Sequence, residues 1–139
     1  MSRVYLASAL HHAAWVEALA LEIEAVGGVV VSTWHRSGAT VEIEATLSDA
    51  AQANIARECG LEIDSCNVFV WVHGDARDRT GAATEFGIAI ASRGIAVYTL
   101  DIVANKANAF DQGNHAPNVF GRLATKVSRA ELVEEMRPT

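Results

Sequence analysis

The five consecutive apolar residues Val68-Phe69-Val70-Trp71-Val72 constrain this chain more than any other stretch. The run is too short for a buried helix and is rich in β-branched and aromatic residues. It therefore fits a strand buried on both faces. Such a strand needs helices above and below the sheet, and the flanking sequence supplies them. Val4 to Ala7 is a first short apolar run. From about His12 to Val26, residues Ala13, Val16, Leu19, Ala20, Ile23 and Val26 recur at helical spacing. Gly27-Gly28 ends that helix as a C-cap would, and Val29-Val30-Val31 is a second buried strand.

The pattern is poor from Thr33 to Thr46, with Gly38 in its middle, and helical spacing returns from about Ser48 to Ile63. After the Val68 run come the loop 73–81, a small-residue helix through about Ser92, and the strand Ile95 to Leu100. The stretch 101–118 is irregular, and a short fifth strand fits within Val119 to Val127. Ser128 followed by Glu131 is a capping box that opens a terminal helix. Strands alternating with helices predict an α/β fold, a flavodoxin-like doubly wound five-stranded parallel sheet with helices on both faces.

The 139 residues match one domain, 1–139, against roughly 100 to 200 residues for a typical one. A net charge of -6 without any Lys/Arg cluster argues against nucleic acid or an anionic membrane surface as partner. No run reaches the about 18 apolar residues of a membrane span, and Met1-Ser2-Arg3-Val4 passes directly into a strand, so a cytoplasmic protein is expected. Cys59 and Cys66 fit no CxxC or Cys/His zinc spacing and read as reduced thiols without a function. The histidines show no HxxxH spacing, and neither GxGxxG nor GxxxxGK[ST] occurs, so no metal and no cofactor are expected.

In a doubly wound sheet, ligands bind beyond the carboxyl ends of the strands, and the chemically distinctive residues collect there. Ser8, His11 and His12 follow the first strand, and Trp34, His35 and Arg36 the second. His73, Asp75, Asp78 and Arg79 follow the third, and Asp101 and His115 the fourth. Trp34 is a loop aromatic that could stack on a base, whereas Trp15 and Trp71 read as core. Glu85 is more specific. Gly81 permits a tight turn into the helix, placing Glu85 in its first turns, where the positive helix end predicts an ionised carboxylate at neutral pH. A carboxylate so held can attack an anomeric carbon or stabilise an oxocarbenium-like transition state.

The strand Val4-Tyr5-Leu6-Ala7, the strand Val68 to Val72 leading into an acidic loop, and Gly81-Ala82-Ala83-Thr84-Glu85-Phe86-Gly87-Ile88-Ala89 resemble the nucleoside 2-deoxyribosyltransferase superfamily. The superfamily also contains nucleotide N-hydrolases, and the resemblance covers roughly residues 3 to 100. It implies that Glu85 is the nucleophile on C1′ of the sugar and that Tyr5 positions it. It also implies a homodimer in which the segment 101–118 completes a neighbour's site.

The family's aspartate at the start of the third strand falls on Asn67 here, with Asp64 three residues earlier. Its second aspartate, six residues before the glutamate, falls on Arg79, next to Asp78. Either Asp78 takes that role after a loop shift, or Arg79 has changed the ligand. A guanidinium beside a helix start suits a phosphate and favours a nucleoside 5′-monophosphate over a free nucleoside, with Thr80, His11 and His12 as further phosphate contacts. The expected activity is cleavage of the N-glycosidic bond of a small-molecule nucleoside or nucleotide, with transfer to water or another base. Catalysis would fall to Glu85, Tyr5 and Asp78, and substrate binding to Ser8, His11, Trp34, Asn67, Arg79, Thr80 and Gly81. The competing expectation is a non-catalytic nucleotide-binding module on the same fold.

Overall fold

The computed structural model describes residues 1–74, 81–102 and 123–139. Its strands are β1 Arg3–Ala7, β2 Val29–Val30, β3 Val68–His73, β4 Ala96–Asp101 and β5 Thr125–Lys126. Its helices are α1 Ala13–Ala25, α2 Val41–Ala45, α3 Asp49–Ser65, α4 Gly81–Ala91 and α5 Arg129–Glu135. The five strands form one sheet in the order β2-β1-β3-β4-β5, and every pairing is parallel. This is the expected flavodoxin-like arrangement, in which the chain reverses its winding direction between β1 and β3. Among the described residues no helix is long and apolar enough to cross a membrane.

Alternation along the strands divides the core into two layers. Val4, Leu6, Val68, Val70, Val72 and Leu100 face one side, against Val16, Leu19, Ala20 and Ile23 of α1 and Leu132 of α5. Tyr5, Ala7, Phe69 and Trp71 face the other, against Ile63 of α3 and Ala82, Phe86 and Ala89 of α4. The apolar run of β3 thus alternates between the layers, with Val68, Val70 and Val72 in one and Phe69 and Trp71 in the other, and all six β3 residues are buried. The capping box is present at α5, where Ser128 accepts from the Glu131 backbone N–H and the Glu131 side chain reaches back. The poorly patterned stretch 33–46 holds a single 3-10 turn, Trp34–Arg36, and then α2, capped by Thr40.

β2 is only two residues long, and side chains take over where its ladder stops. The Leu6 N–H donates to Ser32 Oγ at 3.1 Å, and the Leu6 carbonyl accepts from the Trp34 indole Nε1 at 2.6 Å. Ser32 is fully buried and lies 2.9 Å from His35 Nε2, while His35 Nδ1 lies 3.2 Å from Glu17. Burial pushes the His35 pKa down against the opposing pull of Glu17, so the ring is neutral at pH 7. A neutral ring then accepts from the Ser32 hydroxyl at Nε2 and donates to Glu17 at Nδ1. Arg36 closes the arrangement from outside with ion pairs to Glu17 and Glu24.

Ser32→Ala would leave the buried Leu6 N–H and His35 Nε2 without partners. Urea unfolding should show a loss of about 1–3 kcal/mol for Ser32→Ala, while Ser92→Ala, at an exposed helix end, stays within about 0.5 kcal/mol. Equal stability of Ser32→Ala and the parent would show that the hydroxyl does not hold this turn.

Candidate active site

Tyr5 sits in the middle of β1 with its ring on the α3/α4 side of the sheet, fully buried and stacked on Phe69 at 5.6 Å between centroids. A buried phenol needs a partner for its hydroxyl, and the partner is Glu85. Tyr5 Oη donates to Glu85 Oε2. α4 brings the glutamate there because Ala82, Phe86 and Ala89 pack into the core and leave Glu85, between them on the helix, at the edge of the same layer. Burial pushes the Tyr5 pKa far above the ordinary range, and the neighbouring Glu85 carboxylate adds to the effect, so the hydroxyl stays protonated.

The expectation of a fully ionised Glu85 is corrected. Gly81 opens α4, so Glu85 is the fifth helical residue and lies beyond the first turn, where the helix-end potential has fallen off. Burial pushes its carboxyl from the ordinary 4.5 up to about 7. The hydrogen bond from Tyr5 opposes that rise, and the nearby Glu62 charge adds to it. Desolvation outweighs the helix end. Near neutral pH the group exchanges between carboxylate and carboxylic acid, a condition suited to a nucleophile or an acid/base.

Around this pair, the other expected site residues fall into three sets. Ser8, His11 and Trp34 lie at the carboxyl end of β1. Ser8 is buried and its Oγ donates to the Val72 carbonyl at 2.7 Å, fastening the end of β1 to β3. His11 is exposed, with its ring 3.9 Å from that of His12. Trp34 spends its indole N–H on Leu6 and packs against both core layers, and its ring is partly exposed.

Asn67 lies at the opposite, amino end of the sheet. Its Oδ1 accepts from the Arg3 N–H at 2.8 Å and its Nδ2 donates to the Met1 carbonyl at 3.3 Å. The structure thus does not bring the Asn67 amide to Glu85. It clips the chain start to β3, a job for which an amide with one donor and one acceptor face is well suited. Asp78, Arg79 and Thr80 lie outside the described residues, as do Asp75, His115 and the segment 103–122. Gly81 is placed as the first residue of α4.

Two neighbours of this pair were not foreseen. Cys59 of α3 packs against the layer that holds Tyr5, and the charge of Glu62, on the same helix, acts on Glu85. Glu62 also receives the Thr33 N–H at 3.1 Å and the Thr33 hydroxyl at 2.6 Å, tying α3 to the loop after β2. The available signal was the helical spacing Cys59, Glu62, Ile63, Cys66, which puts a carboxylate on a core-facing stripe. The Ser32–His35–Glu17 line has the connectivity of a nucleophile relay. Its serine is fully buried and already receives the Leu6 N–H, so it serves the fold. Among the described residues no group of three or more His, Cys, Asp or Glu is placed to hold a metal ion.

No family model and no curated protein matches the chain. Solved structures do match in fold. One is a 2-deoxyribosyltransferase from Bacillus psychrosaccharolyticus, with 23% identity, a TM-score of 0.54, and 72% of each chain covered. A second is a conserved protein from Enterococcus faecalis V583, with 19% identity and a TM-score of 0.60, covering 98% of this chain and 97% of that one. A third is the CMP N-glycosidase of Clostridium botulinum, with 17% identity and a TM-score of 0.54, covering 96% of this chain and 97% of that one. The chain shares their fold.

The raised carboxyl has a consequence for stability that needs no substrate. Unfolded, Glu85 would ionise near 4.5; folded, it holds its proton to about 7. Between these values the native state binds the extra proton, so this group lowers stability as pH rises and its cost is complete above about 7. Glu85→Gln should therefore be more stable than the parent at pH 8, on the order of 1–3 kcal/mol, with the gain fading toward pH 4.5. A pH-independent difference would contradict the raised carboxyl.

Proposed function

We propose that this protein is an N-glycosidase or glycosyltransferase of the nucleoside 2-deoxyribosyltransferase type, acting on a nucleoside or nucleoside 5′-monophosphate with Glu85 as nucleophile. The observation that carries the reading is the buried Tyr5–Glu85 pair, a carboxylate held by a permanently protonated phenol and poised near neutral pH. Tyr5 lies in the middle of β1, one of the two strands that flank the switch point beyond whose carboxyl ends such sheets take ligands. The sequence resemblance around Gly81 to Ala89 supports the same assignment. So do fold neighbours that include a 2-deoxyribosyltransferase and a CMP N-glycosidase.

In the proposed reaction a Glu85 carboxylate oxygen attacks C1′ of the sugar as the C1′–N bond breaks. The electron pair of that bond leaves with the base, which takes a proton from solvent or an acid. Water, or the ring nitrogen of a second base, then attacks C1′ and releases the Glu85 carboxylate; the attacking group loses its proton to solvent. Tyr5 fixes one carboxylate oxygen through both steps, which keeps the other aligned and limits the entropy lost in reaching the transition state. Trp34, Ser8 and His11 lie at the carboxyl end of β1, where a base and a 5′ substituent would enter, and Asp78, Arg79 and Thr80 complete the proposed set. The nucleophile must be ionised, so the rate should climb with pH through about 7 and then level off.

The test is a panel of nucleosides and 5′-monophosphates, each with and without a free acceptor base, followed by chromatography of the bases. Free base without acceptor identifies a hydrolase, and exchange only with an acceptor identifies a transferase. Glu85→Ala and Glu85→Gln should lose activity by a factor on the order of 10³ or more while remaining folded. Retained cleavage in either variant would remove Glu85 from the role. Ligand protection against unfolding without any product would replace the enzyme reading with that of a binding module.

A further inference from the structure

The turn that carries Trp34 is held from two sides. Toward α3, Thr33 donates its N–H at 3.1 Å and its hydroxyl at 2.6 Å to Glu62. Toward α1, the hydrogen bonds form a line that runs in one direction. The Leu6 N–H donates to Ser32 Oγ at 3.1 Å, the Ser32 hydroxyl donates to His35 Nε2 at 2.9 Å, and His35 Nδ1 donates to Glu17 at 3.2 Å. Each proton of the line has an acceptor only while the ring is neutral. Among the described residues, the Ser32 side chain hydrogen-bonds with Leu6 and His35 alone. A second ring proton, at Nε2, would face the serine proton and leave a fully buried hydroxyl without an acceptor.

His35 and Trp34 share the 3-10 turn Trp34–Arg36, and their rings meet at 89° with 5.4 Å between centroids. A charged imidazolium must be hydrated, and His35 is only 6% exposed. Hydrating it draws the turn outward, away from the Leu6 carbonyl that receives the Trp34 indole N–H at 2.6 Å. The charged groups facing the ring are Glu17 of α1 and Arg36 of its own turn, with Glu24 of α1 behind Arg36. Burial, the largest influence, and Arg36 disfavour the charged ring, while Glu17 and the Ser32 backbone favour it. The closed turn therefore holds the ring below the ordinary 6.5. A ring that binds its proton more weakly in the closed turn than in the open one favours the open turn once protonated. The clamp is complete above 6.5 and is lost as pH falls through the lowered midpoint.

We propose that His35 is a proton-controlled latch on Trp34: the neutral ring keeps the indole on Leu6 at the carboxyl end of β1, and protonation lets the turn swing out about its Thr33–Glu62 anchor. His35 is in this sense a positioning residue for the aromatic wall of the site. Its consequence for substrate rests on the proposed role of Trp34 in binding the base, so the test first reads the latch without substrate.

The full chain is labelled with ¹⁵N, and the Trp34 indole signal is assigned by its loss in Trp34→Phe. It is followed with the His35 ring signals as pH falls from 8. The indole proton should move upfield, toward that of a free indole, with the same midpoint as the His35 ring and below 6.5. The transition should persist in Glu85→Gln, which separates it from the site carboxyl, and vanish in His35→Gln, whose amide carries no titrating proton. If His35→Gln does not fold, Glu17→Gln makes the comparison, because losing the carboxylate that favours the charged ring must carry both midpoints to lower pH together. An indole signal that stays in place while the ring titrates overturns the proposal, and so does a ring that takes up no proton before the whole chain unfolds. For the active protein, KM should rise about threefold to tenfold below the His35 midpoint in the parent and stay level in His35→Gln, while the fall in kcat set by Glu85 is common to both. A working latch in a protein without glycosidic activity would leave the inference standing and remove only the proposed chemistry.

Discussion

Burial of β1 and β3 on both faces is the constraint from which the rest of the structure follows. Once helices cover both sides of the sheet, each residue of these strands is assigned to a layer by parity alone. Val4 and Leu6 join α1 and α5, and Tyr5 and Ala7 join α3 and α4. Tyr5 is the member of its strand that carries a hydroxyl into an otherwise apolar layer, and that hydroxyl is costly unless it is bonded. Glu85 meets the requirement, and in doing so the carboxyl is itself drawn out of water.

The properties of the pair are therefore set by competition. Desolvation works to neutralise the acid, and the phenol, as donor, works to ionise it. The helix start, which a linear reading credits with control, has little weight at the fifth residue. A carboxylate at the first or second position of α4 would have felt that potential more strongly and would have been wetter. It would have remained a plain anion across the neutral range.

This history explains which parts were legible in the sequence. The parallel sheet was readable because β3 is a continuous apolar run and α1 carries an apolar stripe of helical period. α5 was readable because Ser128 and Glu131 form a local signal. Tyr5 and Glu85 were found through a motif, and their contact, 80 residues apart in sequence, is visible only in the fold. Asn67 was misplaced because alignment to a neighbouring aspartate says nothing of which end of a strand a side chain serves. Glu62 was passed over because a lone carboxylate on a helix counts as surface. The clamp on Leu6 was invisible for a different reason. It replaces backbone ladder bonds with side-chain ones from a stretch that has no periodicity.

That clamp bears on how the chain behaves among its own copies. The two strands at the sheet margins, β2 and β5, are only two residues each, and the long apolar strands lie between them. Where β1 outruns β2, the Leu6 amide and carbonyl are already occupied by Ser32 and Trp34. At this stretch of β1 a second molecule offering an extended segment thus finds the Leu6 backbone already engaged. Ser32 and Trp34, beside the proposed site, thereby also close this part of the β1 margin to pairing with another strand.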